Sequence, residues 1–333
     1  MARVRQPERM EEISHWLREG RITPADALQM AIELRRRRTA PRAQPRPAET
    51  EQDPDRRVQA VIAELERMVG LGQVKALVRE LQAYIAIQLR RAKAGLASEP
   101  GSLHMIFTGN PGTGKTTVAR LLGRLFKEMG VLPKGHTVEV ERADLVGEYI
   151  GHTAQRTRDV VRRALGGLLL VDEAYALARG GEKDFGKEAI DHLVRAMEEH
   201  RGELVVIFAG YPDEMAWFLR QNPGLRSRIA LTLHFPDYTA EELIAIAEQM
   251  LEQRDYRLTP DGKAALRQIL YGNPWLTAGE NGNARAVRNL VERAIRRQAL
   301  RLVDRSDASR AELMAITRAD LESAVAAMAG VGP

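Results

Sequence analysis

One run of eight residues, Gly109-Asn110-Pro111-Gly112-Thr113-Gly114-Lys115-Thr116, constrains this chain more than any other stretch. It fits the spacing G-x-x-x-x-G-K-[ST]. It also lies between a short apolar segment with strand character, His104 to Thr108, and a segment of helical period, Thr117 to Met129. A loop that wraps phosphate oxygens must turn its backbone N–H groups inward at dihedrals that a Cβ opposes, which explains the glycines. The start of the following helix adds a favourable potential for anions. Lys115 is expected to reach the β- and γ-phosphates of a nucleoside triphosphate, and the Thr116 hydroxyl to ligate Mg²⁺. Such a loop commits the chain to a strand–loop–helix unit, and so to a sheet with helices on its faces.

The second half of such a site is an apolar strand that carries carboxylates to the same sheet edge. Leu168-Leu169-Leu170-Val171-Asp172-Glu173 has that form. Asp172 is expected to hold Mg²⁺ through water, and Glu173 to orient or deprotonate the attacking water. Taken alone the strand is a weak signal, because many strands end in acidic residues; it gains its meaning from the glycine loop.

Around these motifs the pattern is helical from about Asp55 to Gly95, with Leu65, Val69, Leu71, Val74, Leu77, Val78, Leu81, Ile85 and Leu89 marking an apolar face. Strands are expected at His104 to Thr108, Thr137 to Glu141, Leu168 to Asp172, Glu203 to Ala209 and Ile229 to Phe235, alternating with amphipathic helices. That pattern implies a parallel, helix-covered, five-stranded sheet, hence an α/β fold. Past Pro236-Asp237 the strand signals stop and helical period dominates from Thr239 to Ala329, with breaks near Thr259-Pro260, Tyr271 to Asn283 and Arg305 to Ser309. The expected organisation is an N-terminal helical extension over 1–38, a proline-rich linker over 39–54, a nucleotide-binding domain over 55–237 and a C-terminal helical lid over 238–333.

Composition excludes several chemistries. The 333 residues contain no cysteine, so disulfides, thiolate metal sites and cysteine nucleophiles are ruled out. The histidines lack the paired spacing of zinc hydrolases, and no Ser-His-Asp constellation can be read. No apolar stretch is long enough to cross a bilayer and no apolar signal segment follows Met1, so no membrane partner and a cytoplasmic location are expected. The net charge of +5 comes from scattered arginines. The one basic run, Arg35 to Arg38, reads as a solvated helix end or linker rather than a nucleic-acid contact, and no nucleic-acid partner is expected.

With these residues in view, the chain from about Leu65 to Ala324 resembles the CbbX family of AAA+ proteins, which includes the red-type rubisco activases and stage V sporulation protein K. The resemblance implies ATP and Mg²⁺ as cofactors and nucleotide contacts along the loop from Gly109 to Thr117. Val69-Gly70-Leu71 resembles the segment that packs on adenine, although Val69 and Leu71 also suit a plain core. The family's N-P-G-L-x-S-R segment matches Asn222 to Arg228, which implies that Arg228 reaches the γ-phosphate of a neighbouring subunit, with Arg226 as a nearby competitor. Together with Lys115, Asp172 and Glu173, Arg228 completes the implied catalytic set.

Gly282 to Asn289 resembles the start of the family's sensor-2 helix. Arg285 is the implied phosphate contact there and Arg288 the second candidate. Tyr149-Ile150-Gly151 matches the aromatic loop that lines the pore of a hexamer and grips an extended polypeptide; a packed loop of that composition is the plain alternative. One departure stands out: where many AAA+ proteins carry a polar sensor-1 residue, this chain reads Ala209-Gly210-Tyr211, leaving Tyr211 as a candidate. The implied function is ATP hydrolysis in a homo-oligomeric ring, hexameric in the family's manner, acting on a protein substrate. Ala178 to Asp191 looks closest to the sporulation branch. A rubisco activase, a nucleotide-dependent scaffold and a nucleic-acid switch are the alternatives.

Overall fold

The computed structural model describes residues 54–97, 101–149, 151–180, 184–277, 279 and 282–329, with isolated positions before 54. The helical extension and linker expected over 1–54 therefore lie almost wholly outside the described residues, as does Ile150.

Five strands form one parallel sheet: β1 His104–Gly109, β2 Thr137–Val140, β3 Gly167–Val171, β4 Leu204–Gly210 and β5 Ile229–Phe235, in the order β2-β3-β4-β1-β5. All pairings are parallel, with Phe107 beside Ala209 on one side and Leu233 on the other. The strands β1, β3 and β4 are buried along their whole length, as expected for unbroken apolar runs covered on both faces. At the edge, β5 alternates buried and exposed residues towards its end.

Because side chains alternate across a strand, the sheet divides the core in two. Met105, Phe107, Leu168, Leu170, Val205 and Ile207 face a cluster shared with helices α1 Pro54–Arg67, α2 Gly72–Lys93 and α3 Lys115–Glu128. Ile106, Leu169, Val171, Val206 and Phe208 face the other, shared with α5 His152–Ala164, α6 Gly186–Glu199 and α7 Pro212–Gln221. Between β2 and α5 lies the short helix α4 Arg142–Leu145, and α8 Pro223–Arg226 precedes β5.

The helical pattern expected from Asp55 to Gly95 forms two helices. The chain breaks at Met68 to Leu71, where Gly70 has φ +64° and Leu71 φ +56°. Lys75 Nζ donates to the free carbonyls of Glu66 and Met68 at the end of α1, at 3.1 and 2.6 Å. An apolar period that continues through a single glycine gives no sign of such a break.

After the sheet come α9 Ala240–Glu252, α10 Pro260–Gly272, α11 Pro274–Thr277, α12 Asn283–Leu302, α13 Arg310–Met314 and α14 Arg318–Ala329. Thr239 and Ser309 open α9 and α13 with reciprocal capping boxes to Glu242 and Glu312. Contrary to the expectation that strands stop at Asp237, the lid holds a two-residue parallel pair, β6 Arg257–Leu258 with β7 Ala315–Ile316. Two residues are too few to show a period. The apolar faces of α9, α10, α12 and α14 join the α1–α2–α3 core cluster, so the lid shares one hydrophobic core with that face of the sheet.

Candidate nucleotide site

The strand β1 ends in Gly109 at φ +151°, the loop turns through Gly112 and Gly114, both at positive φ, and α3 begins at Lys115. The loop is braced from within: Thr113 Oγ1 donates to Asn110 O at 2.7 Å, and the Lys115 ammonium donates to Gly109 O and Asn110 O at 2.7 and 2.9 Å. Burial holds the Lys115 pKa below its ordinary value. Asp172 opposes this by favouring the charged form, while Arg285 adds to the lowering.

Beside the loop, β3 delivers Asp172 and Glu173. The Glu173 N–H donates to Asp172 Oδ1 at 3.0 Å, and Glu173 sits at φ +46°, a left-handed conformation uncommon outside glycine. It opens the 3₁₀ turn Ala174–Ala178. Two carboxylates thus emerge at adjacent positions, one held by a backbone N–H and its neighbour turned by the kink.

These groups line one cleft of about 350 Å³. Of the residues expected from sequence, it gathers Val69, Gly109, Pro111, Gly112, Gly114, Lys115, Thr116, Thr117, Asp172, Glu173 and Arg285, with Arg288 beside them. Asn110 and Thr113 brace the loop from behind. Leu71 turns the other way: it is buried in the core, and a Cβ on Gly114 would lie 3.6 Å from its Cδ1. Sequence reasoning missed the far wall, Met68, Tyr238, Ile246, Gln249 and Met250, which comes from the break after α1, the segment between β5 and α9, and α9 itself. Burial pushes the Tyr238 hydroxyl up to about 12, and that hydroxyl donates to Thr113 O at 3.1 Å.

Tyr211, the sensor-1 candidate, lines the cleft, with its ring 6.0 Å from that of Tyr175. A Cβ at Gly210 would lie 2.7 Å from Tyr175 Cδ1, so the small residue there makes room for the buried Tyr175 ring.

Two expected residues stand away from the cleft. Arg228 precedes β5, which runs parallel to β1, so it occupies the sheet edge opposite the loop, roughly 20 Å of strand away. Its guanidinium pairs with Glu198 at 3.1 Å and donates to Gly224 O at 2.9 Å, while Ser102 Oγ donates to its carbonyl at 2.5 Å. Nearby His104, 2% exposed, accepts from Val206 N through Nδ1 and donates through Nε2 to Met197 O; burial lowers its pKa, so the ring is a neutral structural brace. Tyr149 is 67% exposed in the loop between α4 and α5, touching His152 edge-on, and Gly151 starts α5 at φ +83°.

Oxygen donors from Thr116 and Asp172 suit a hard cation that keeps waters and phosphate ligands, as Mg²⁺ does. Among the described residues no cluster of three or more His, Asp or Glu could cage a metal alone.

A glycine loop at the C-terminal edge of a parallel sheet, facing paired carboxylates and roofed by a helical lid, defines a P-loop nucleoside triphosphatase. The ATPase family associated with various cellular activities (AAA) matches residues 105–236, and the AAA lid domain matches residues 239–330. The chain is 50% identical to stage V sporulation protein K of Bacillus subtilis over 78% of its own length and 80% of that protein's. It is also 50% identical to protein CbbX of Cereibacter sphaeroides, over 73% of this chain and 78% of that one. The chloroplastic ribulose bisphosphate carboxylase/oxygenase activase of Cyanidioschyzon merolae is 46% identical, over 74% of this chain and 84% of that protein. A Thermotoga maritima RuvB mutant shares the fold, with a TM-score of 0.53 at 18% identity over 80% of this chain and 72% of that one. The chain belongs to the CbbX family of AAA+ ATPases, and its reaction is ATP hydrolysis.

Proposed function

We propose that the chain is a protein-remodelling motor that assembles as a ring, hexameric in its working form, with each ATP held by one subunit and completed by an arginine from the next. The observation that carries this reading is the position of Arg228: it lies at the sheet edge opposite its own P-loop, out of reach of its own nucleotide, which supports a role at a neighbour's. The exposed Tyr149, beside the left-handed Gly151, supports a loop that grips an extended polypeptide.

In this reading residues 55–237 bind and cleave ATP and residues 238–333 form the lid. The backbone of the P-loop and Lys115 hold the β- and γ-phosphates, Val69 borders the base, and Arg285 approaches the phosphates from α12. Thr116 and Asp172 would hold Mg²⁺, which when bound neutralises charge developing on the phosphate oxygens. Glu173 accepts the proton of the attacking water as it adds to the γ-phosphorus and the bond to the bridging oxygen breaks, leaving ADP and phosphate.

The test is Glu173→Gln. This variant is expected to bind ATP and slow its hydrolysis by about 10²–10⁴-fold, the usual worth of a positioned base. Undiminished phosphate release would remove Glu173 from the mechanism. A pull-down with this trapped form in ATP identifies the substrate.

Within the family we favour the sporulation branch and a cytoplasmic setting, supported by the stretch Ala178 to Asp191 and by 50% identity to the sporulation protein over 80% of its length. The carboxylase-activating branch is the second reading, supported by equal identity to protein CbbX. Stimulation of the ATPase by ribulose 1,5-bisphosphate would favour the second reading, and a flat response the first.

A further inference from the structure

Behind the phosphate loop the side chains of Asn110, Asp237 and Asn283, none of which lines the cleft, join the loop to the lid. Asn110 Nδ2 donates to both Asp237 oxygens at 2.9 Å. Asn283 Nδ2 donates to Asp237 Oδ1 at 2.7 Å, and Asn283 Oδ1 accepts from Tyr238 N at 2.9 Å. Asn283 is fully buried, has φ +62°, and is the first residue of α12; the next two residues are Ala284, whose N–H donates to Gly112 O at 3.3 Å, and Arg285. Asparagine is among the few residues that adopt such a φ readily, and it also supplies both a donor and an acceptor.

The arrangement is directional. The two amide groups present donors and the carboxylate between them accepts from both, so the loop and α12 are tied through one side chain on the segment that leads from the sheet into the lid. A hydrogen bond to a charged group is stronger than a neutral one, and leaving such a group unmatched costs more than the bond itself.

We propose that Asp237 is a positioning residue that couples the P-loop to the lid, fixing Asn283 and with it the approach of Arg285 to the nucleotide. The proposal rests on the reading of Arg285 as a phosphate contact for its effect on turnover, but the coupling itself is tested without it.

The donor pattern dictates the experiment. In Asp237→Asn the introduced NH₂ must face either the Asn110 or the Asn283 amide, donor against donor. In Asn283→Asp two carboxylates meet. In the double variant most of the match returns, because the amide at 237 donates to the carboxylate at 283 while its oxygen keeps one of the two bonds from Asn110.

Each single variant is expected to lower kcat/KM for ATP about tenfold or more, by the magnitude of a mispaired charged hydrogen bond, and the double variant to recover to within about threefold of wild type. Protection of the Ala284 amide from hydrogen exchange, on adding a non-hydrolysable ATP analogue, should be lost in the singles and return in the double. Asn283→Gly keeps the left-handed backbone and deletes only the amide; it should fold and show the same loss of coupling. The proposal is overturned if the double variant shows the product of the two single losses, or if Asn283→Gly keeps wild-type kcat/KM and exchange protection. Arg285→Ala run alongside separates the readings: unaltered kinetics there would remove Arg285 as a phosphate contact, while recovery in the double variant would still stand for the relay.

Discussion

At Gly112 the P-loop backbone meets the start of α12, and alanine there measures that contact. The residue has φ +76°, and an added Cβ would lie 2.9 Å from Arg285 N, 3.1 Å from Arg285 Cβ and 3.2 Å from Gly282 O. The left-handed backbone costs an L-residue roughly 1–2 kcal/mol. The three neighbours are two backbone atoms and a Cβ, none the free end of a flexible side chain, so relief requires moving the start of α12, at about 1–3 kcal/mol.

Gly130 supplies the control, with φ +75° and nothing within 4 Å of its added Cβ. Gly130→Ala should therefore show the backbone cost alone and leave the KM for ATP unaltered. Gly112→Ala should lose about 2–5 kcal/mol in all, lowering Tm by roughly 5–10 °C for a unit of this size, and should raise the KM for ATP several-fold. Thermal melting and steady-state ATPase assays on the two variants read both quantities. Equal Tm losses with wild-type KM in both would refute the reasoning, because the loop would then not be bearing on α12.

Two further outcomes follow from the geometry. Arg228→Ala should leave ATP binding intact and lower hydrolysis by about 10³-fold or more. Mixing it with Glu173→Gln subunits should restore part of the activity, since the latter lend an intact Arg228 to a neighbour with an intact Glu173; no recovery would argue that the arginine does not act across subunits. In the lid, Asp320 is 2% exposed and takes Arg301 in a two-point pair at 3.0 and 2.9 Å, along with the N–H and hydroxyl of Thr317. Burial works against its charged form, yet Arg301 and Thr317 outweigh it and hold the carboxyl below its usual range. A depressed carboxyl contributes stability that is complete above the unfolded value of about 3.9 and disappears as pH falls through the lower folded value. Arg301→Ala should cost about 2–3 kcal/mol at neutral pH, less than for a wholly buried pair because the guanidinium is a third exposed. Urea titrations across pH should show that deficit shrinking below about pH 4, and a constant deficit would count against the pairing.

What the sequence determined by itself is what is local. The glycine loop, the lysine and threonine that follow it, and the strand ending in Asp172-Glu173 each carry their chemistry within a few consecutive residues, so they could be read without a fold. The five strands were legible for a related reason: strands buried on both faces must be continuous apolar runs, and those runs stand out between amphipathic helices. The tertiary structure decided what depends on distant residues meeting. The break between α1 and α2 turns Val69 to the cleft and Leu71 to the core, although the two share one apolar period. The far wall from Tyr238 to Met250, the position of Arg228 at the opposite sheet edge, and the Asn110–Asp237–Asn283 chain depend on distant residues meeting, those of the chain being 127 and 46 positions apart. A hydrogen bond across such a separation leaves no periodic or compositional trace, because its cost and its gain are set by where the folded backbone brings the two groups.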